Sequence, residues 1–220
     1  MEILNYIVSI FLRSLGIGAA PWSQPRSGGR GGGLLKFFRV PRPGCYWVLP
    51  LLFFSLSAGS AWAQVTKEYQ VKAVFLWRLA QFTEWPPSTF TSTNSPVVIG
   101  VIGENPFGAA LEAAVRGETA HGHPITVRHF TRLQQIRSCH ILFISGSESD
   151  RLPEVLRVVS GASILTVSDI EGFARSPGGM VRFMTEQGKI KLKVNIKAVS
   201  AAHLVLDARL LRAAEIIGNE

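Results

Sequence analysis

Two histidines one residue apart, His121 and His123, are the first residues of this chain whose spacing could do chemistry. Residues i and i+2 share a face of a strand, so both imidazoles could bind one metal ion. Zinc needs at least a third protein ligand, and no spacing singles out His129 or His140 for that role. Two interpretations of this pair remain open: a metal site of the kind that hydrolases use, and a polar surface loop without metal. We expect the second, and therefore no bound metal.

Cys139 and His140 are adjacent and have the residue types of a nucleophile and its base. Neighbouring side chains on a strand point to opposite faces, so these two cannot pair with each other. We therefore expect a buried, unreactive Cys139. The other cysteine, Cys45, lies in a segment interpreted below as an export signal, so no internal disulfide is expected in the mature chain.

Asp169 and Glu171 are the acidic residues best placed for chemistry. They follow an apolar run that ends at Ser168, which should place them at the carboxyl edge of a sheet, where open α/β proteins bind ligands. Arg175 belongs to the same loop. Three alternatives remain open. Asp169 and Arg175 could contact a ligand, or Asp169 and Glu171 could act in general acid–base catalysis. Alternatively, Ser168 or Asp169 could cap a short helical turn.

Gly178 and Gly179 could cradle a phosphate, but they precede a strand, whereas phosphate-binding glycine loops follow a strand and open a helix. No G-x-G-x-x-G follows a predicted strand, and the chain has no G-x-x-x-x-G-K and no G-x-S-x-G. We interpret the two glycines as a bend that leads into a hairpin.

Two alternating runs joined by Gln187 and Gly188 predict this hairpin, because glycine at the second turn position supplies a positive φ. Its inward face is expected to carry Ile190, Leu192, Val194 and Ile196. Its outward face is basic, and it is either a solvated edge or a docking face for an acidic partner. The candidate interface residues there are Arg182, Lys191 and Lys193.

Residues 67–86 have the period of a helix that ends at two prolines. The predicted inward stripe is Val71, Phe75, Leu79 and Phe82. Further apolar residues widen this stripe, so the helix is expected to be buried on more than one side, against the sheet and a partner or second copy. The candidate interface residues on it are Phe75, Trp77 and Arg78.

Strands and helices alternate through the rest of the chain, which predicts a three-layer α/β sandwich around a mostly parallel sheet. Buried strands are expected at residues 97–103, 139–145 and 163–169, and helices at residues 105–117, capped by Asn105, and 149–161. The hairpin and one helix over residues 198–217 complete the domain.

The first 63 residues have the parts of a secretory signal with an extended n-region. Arginines and Lys36 precede an apolar core, and Ala61, Trp62 and Ala63 form a small-x-small end, so cleavage is expected after Ala63. The predicted division is residues 1–63 as signal and 64–220 as one α/β domain. An inner-membrane anchor over residues 46–60 is the alternative, although that stretch is short for a span.

The charge of the chain, +8, is concentrated in the predicted signal. From Gln64 onward there are 17 basic and 14 acidic residues, a net charge of +3. A surface of this kind does not indicate nucleic-acid binding, which needs a more concentrated basic footprint.

Five blocks of sequence resemble the YfiR family, in family order and over about residues 68–213. They are EYQVKAVFLWRLAQFTEWP, VIGENPFG, CHILFIS, ILTVSDIEGFA and GGMVRFMTEQGKIKLKVNIKAVSAAHLVLDARLL. The resemblance implies an exported periplasmic α/β domain, often a homodimer, with no catalytic residues and no cofactor. It also implies repression of a membrane-bound diguanylate cyclase, YfiN, by contact with its periplasmic sensor domain, and sequestration by an outer-membrane lipoprotein, YfiB.

One departure from the family concerns its disulfides. Cys139 matches a family cysteine whose partner would fall at Gly100 in this chain, and a second pair near the hairpin is missing. Redox control is therefore not expected here. The alternative function is a periplasmic small-molecule binding protein that feeds a sensor system.

Overall fold

The computed structural model describes residues 59–92 and 94–218, with side chains from residue 67 onward. The predicted signal segment and the alternative anchor lie outside the described residues, except for residues 59–63, which belong to the first helix. Among the helices that the structure describes, none combines the length and apolar character needed to cross a bilayer.

Eight strands form one sheet in the order β10-β8-β7-β6-β5-β2-β4-β3. Five of its seven strand pairs are parallel, and only the pairs β7–β8 and β3–β4 are antiparallel. The strands are β2 Val97–Ile102, β3 Thr119–Ala120, β4 His123–Phe130, β5 Ile141–Ile144, β6 Leu165–Ser168, β7 Val181–Glu186, β8 Lys189–Asn195 and β10 Glu215–Ile217. The mostly parallel sheet predicted from the sequence is confirmed.

Two separate clusters of buried side chains cover the two faces of this sheet. Ile99 and Phe143 point into one cluster, and Val98 and Leu142 point into the other, as the two-residue period of a strand requires. The first cluster packs under α1 Gly59–Phe82, α2 Ala110–Val115, α4 Ile196–Ala201 and α5 Ala208–Ala213, and the second under α3 Leu152–Val159. Helices on both faces make the predicted three-layer sandwich.

The inward face of α1 matches the predicted stripe only at Leu79. Leu76, Leu79 and Ala80 are fully buried, whereas Val71 is 39% exposed and Phe75 and Phe82 are only half-buried. The polar residue Lys72 is buried on the inward side. Apolar side chains occupy most of the helix circumference, so their period alone does not select the face that packs on the sheet.

The helix predicted after β2 begins later than expected, at Ala110. Asn105 accepts a hydrogen bond from the Phe107 N–H and donates one to the carbonyl of Gly108, so it closes a turn and does not cap the helix.

The single C-terminal helix predicted over residues 198–217 is also wrong. The segment forms α4, a short strand β9 Val205–Leu206, α5 and then β10. Strand β9 pairs with β1 Thr83–Glu84 at the end of α1, and the Asp207 side chain caps α5. Asn195 caps α4, so Ile196 begins a helix and does not extend the inward face of the hairpin.

Gly179 packs directly against the backbone at the bend before β7. A Cβ at this position would lie 2.0 Å from the carbonyl oxygen of Phe173, so only glycine fits. The bend predicted from the glycine pair therefore depends on the close approach of two backbone segments, and the hairpin follows it as expected.

Gly179→Ala should lower the free energy of unfolding by about 2 kcal/mol or more, because the methyl group collides with backbone that cannot move away easily. Urea unfolding followed by circular dichroism measures the change. Gly146→Ala is the matched control, since a Cβ there meets no atom within 4 Å and its φ is not positive. Equal stability of the two variants would contradict the packing argument.

His140 fastens the segment between α1 and β2 to the sheet. Its Nδ1 accepts a hydrogen bond of 3.0 Å from the Val98 N–H, and its ring stacks on Phe90 and meets the edge of Trp85. Burial, with a smaller contribution from the nearby His123, lowers the pKa of His140 to about 4. Protonation would place a hydrogen on the Nδ1 atom that must accept, so acid should loosen this anchor.

Stability should fall in acid because of His140. The pKa of His140 in the folded protein lies below the ordinary value of 6.5. Its contribution to the free energy of unfolding is therefore complete above pH 6.5 and is lost as the pH falls through about 4. We expect a loss of roughly 2 kcal/mol after allowing for solvent screening. His140→Asn, which keeps an acceptor, should flatten urea-unfolding stability measured from pH 7 to pH 4. The exposed His203→Asn is the control, and an identical pH profile in both variants would refute the assignment.

Candidate functional site

A buried lysine connects the first helix to the carboxyl edge of the sheet. Lys72 is 4% exposed at its side chain, and its Nζ lies 2.7 Å from both Glu68 Oε1 and Asp169 Oδ2. The Tyr69 hydroxyl donates a second hydrogen bond, of 2.8 Å, to the same Asp169 oxygen. Asp169 thus lies at the edge predicted from the sequence, but its contacts are with the chain itself.

The local sequence explains this cluster. Glu68 and Lys72 are four residues apart on α1 and therefore share a helix face. Asp169 follows β6 directly, and Ser168 Oγ accepts from the Ile170 N–H, which turns the chain there. The expected cap is not formed, because the 3-10 turn Phe173–Arg175 has no side-chain cap. Ser168 closes a turn at Ile170, and Asp169 forms the ion pair with Lys72. Burial and the hydrogen bond to Asp169 raise the pKa of Tyr69, so its hydroxyl remains a donor.

A cleft of about 420 Å³ opens beside the lysine cluster, between α1 and β7. Thr185 Oγ1 donates to Glu68 Oε1 across it. Its lining residues are Glu68, Tyr69, Lys72, Asp169, Arg182, Phe183, Met184, Thr185 and Glu186. Arg182, a predicted interface residue, therefore lies beside Asp169, whereas Arg175 is exposed and does not line the cleft.

The usual ligand crevice of an open α/β sheet lies where successive connections leave for opposite faces, here between β2 and β5. In this chain the two loops pack against each other at that point. The Glu104 N–H donates to Ser147 Oγ at 2.9 Å, and a Cβ at Gly103 would lie 2.4 Å from that oxygen. The crevice is therefore occupied by the loops themselves.

The side of α1 that faces away from the sheet carries an apolar ridge, which we call the outer ridge: Val71, Val74, Phe75, Arg78 and Phe82. These residues are exposed or half-buried in the chain. Phe75 extends toward the hairpin and packs edge-on against Phe183 at 6.2 Å between ring centroids. A helix in a single domain normally presents charged residues on this side.

Arg78 is the single charged residue of the outer ridge. Its guanidinium stacks 4.0 Å above the Trp77 ring and donates 2.7 Å to Gln81. Partial burial lowers the pKa of Arg78, and Glu118 offsets this in part. Of the three residues predicted on α1, the structure brings Trp77 and Arg78 into contact, whereas Phe75 packs toward the hairpin.

The outward face of the hairpin carries less unpaired positive charge than its sequence indicates. Lys191 pairs with Glu186 across the hairpin, and Lys193 pairs with Glu215 of β10 at 2.7 Å. The Lys193 side chain is only 15% exposed. Both lysines therefore have carboxylate partners within the chain, and the partner of Lys193 lies outside the hairpin, on β10.

The histidines predicted as alternative metal ligands have separate roles. The His123 Nδ1–H donates to the Ser95 carbonyl at 2.7 Å, and its ring stacks on Phe90. His129 pairs with Glu112. His121 occupies an exposed turn with a positive φ of 52°. In the described part of the chain, no group of three histidine, cysteine or carboxylate side chains is placed to hold a metal ion.

Cys139 is buried, as expected, and its Sγ donates to the Ile136 carbonyl at 3.0 Å. Burial raises the pKa of this thiol to about 12, which leaves it unreactive as a nucleophile. A Cβ at Gly100 would lie 3.1 Å from Sγ, so Gly100 does face Cys139, as the family resemblance implies. The Phe130 ring occupies the space that a side chain at Gly100 would need.

A family model described as DUF4154, YfiR/HmsC-like, matches residues 69–215, about two thirds of the chain. The match covers the outer ridge and seven of the eight strands of the sheet, and it ends at the first residue of β10. No curated protein matches the chain.

Lys72→Met should lower the free energy of unfolding by about 3 kcal/mol, because it leaves two carboxylates next to an apolar group in a buried site. Chemical denaturation measures the effect. Lys191→Met is the control, because the ion pair of Lys191 lies in solvent. Its loss should change the free energy of unfolding by less than about 0.5 kcal/mol. A result in which the two variants are equally stable would refute a structural role for the buried lysine.

Proposed function

Because the chain belongs to the YfiR/HmsC-like family, we propose that it acts in the periplasm as a repressor of a membrane-bound diguanylate cyclase and so lowers cyclic-di-GMP signalling. Repression would operate by contact with the periplasmic sensor domain of the cyclase. In this proposal a YfiB-type outer-membrane lipoprotein releases the cyclase by binding the repressor, and the repressor itself is a homodimer. No step of this function requires catalysis.

The outer ridge is the observation that carries this proposal. Four of its five side chains are apolar: Val71 is 39% exposed, and the others are partly buried, with Phe75 and Phe82 packed in part against the core. Contiguous apolar surface of this kind marks interaction sites in soluble proteins. Aromatic residues and arginine, which dominate the energetics of protein interfaces, are present as Phe75, Phe82 and Arg78, with Trp77 beside them.

Arg182 extends this surface toward the hairpin. Its Nε is buried and has no hydrogen-bond partner within the described residues. A carboxylate or carbonyl of a partner could accept from it, and the desolvation of an unpaired donor favours such an acceptor. Lys191 and Lys193 contribute less in this proposal, because their charges are already paired.

The alternative, a small-ligand site formed by Asp169 and Arg175, has weaker support. Asp169 already accepts two hydrogen bonds from α1, and Arg175 lies outside the cleft. A ligand would have to displace Tyr69 or Lys72 from the carboxylate. Contact through the outer ridge needs no such rearrangement.

Val71→Glu should abolish repression. A carboxylate buried at an apolar interface costs about 2 kcal/mol or more, roughly a 30-fold loss of affinity. In a strain that carries the partner cyclase, deletion of the gene should raise cyclic-di-GMP, the wild-type gene should restore the low level, and the variant should not.

Ile216→Glu is the matched control, because Ile216 is 38% exposed, against 39% for Val71, and lies on the edge strand β10, outside the outer ridge. It should restore the low level fully. An unchanged cyclic-di-GMP level on deletion would contradict the pathway. Full complementation by Val71→Glu, with the deletion effect intact, would contradict the assignment of the ridge.

A further inference from the structure

A second surface of the chain has the character of an anion site, and we propose that it binds a phosphate-bearing ligand. We call it the arginine groove: an open depression of about 710 Å³ at the carboxyl end of β4. It is lined by Arg128, His129, Phe130, Gln134, Gln135, Arg137 and Ser138. No family match or function proposed above assigns a role to these residues.

The lining is rich in donors and lacks acids. Arg128 and Arg137 supply two guanidinium groups, and Gln134 and Gln135 supply amide donors, while none of the described residues that line the groove is a carboxylate. Arg132, which precedes the 3-10 turn Leu133–Ser138, is exposed near these residues in the chain and adds a third positive charge. The summed potential in such a depression attracts anions.

The two arginines of the groove are not engaged by the chain itself, unlike several other cations of the molecule. Lys72, Lys191 and Lys193 each have a carboxylate partner, and so do Arg151 and Arg209. In the part of the chain that the structure describes, Arg128 and Arg137 have neither an ion pair nor a side-chain hydrogen bond. Both side chains are exposed, so they are available for a ligand and are not needed for packing.

The chemistry of the donors selects phosphate over a simple halide. A guanidinium group offers two parallel N–H bonds that match two oxygens of a phosphate, and two such groups with neighbouring amides suit a pyrophosphate or phosphate diester. His129 is directed to Glu112 at 2.7 Å, which leaves the arginines as the main contacts. The volume is in the range that holds a small ligand.

The groove lies away from the outer ridge. Phe130 and Ile136 belong to the buried cluster beneath α3, whereas α1 covers the opposite face of the sheet. A ligand in the groove would therefore leave the outer ridge accessible. This proposal stands or falls independently of the repressor function.

Titration with pyrophosphate at low ionic strength, followed by calorimetry, tests the site. Arg128→Gln/Arg137→Gln should weaken binding by at least tenfold, since each lost charge-assisted contact removes a substantial part of the affinity. Arg157→Gln/Arg212→Gln removes the same charge from exposed positions outside the groove and should leave the affinity within twofold. An equal loss in both double variants, or no saturable binding to the wild type, would overturn the proposal.

Vesicle sedimentation distinguishes a lipid headgroup from a free phosphate as the source. The same variants are compared on phosphatidylglycerol and phosphatidylcholine vesicles. Groove-dependent binding to phosphatidylglycerol alone assigns a lipid phosphate, and pyrophosphate binding without vesicle binding assigns a soluble ligand. If the Arg128→Gln/Arg137→Gln variant still bound both pyrophosphate and phosphatidylglycerol vesicles as the wild type does, the proposed site would be refuted.

Discussion

The ion pair between Lys72 and Asp169 determines how the first helix lies on the sheet. Burying an isolated charge costs a large amount of free energy, so the helix can place Lys72 inward only at a position where a carboxylate can pair with it. Asp169 is at that point because β6 ends there, and Glu68 and Tyr69 complete the hydrogen bonding. A helix that is apolar around most of its circumference thereby acquires one defined orientation.

That orientation has a consequence for function. With Leu76 and Leu79 turned to the core, the remaining apolar residues form the outer ridge on the far side of the helix. A protein whose usual ligand crevice is occupied by its own loops, and whose main helix presents apolar side chains outward, is suited to recognition by contact. The short pairing of β1 with β9 fixes the end of the same helix and holds the ridge rigid.

The distribution of unpaired charge separates two surfaces with different chemistry. Lys191 and Lys193 of the hairpin are paired with Glu186 and Glu215, while Arg128 and Arg137 beside β4 lack such partners in the described chain. An apolar ridge on one face and a cationic groove on the other would let one small domain bind two kinds of molecule at once.

The sequence by itself determined the alternation of strands and helices, the hairpin turn, the buried cysteine and the family, because these depend on local period, turn chemistry and ordered sequence blocks. It did not determine which face of α1 is buried, since that depends on Asp169, 97 residues away from Lys72. The C-terminal segment likewise breaks at β9 because it pairs with the distant β1. An ion pair between sequence neighbours, such as Lys72 with Glu68, follows from local spacing. The pairs of Lys72 with Asp169 and of Lys193 with Glu215 form only because the fold brings distant segments together, and local sequence carries no record of that distance.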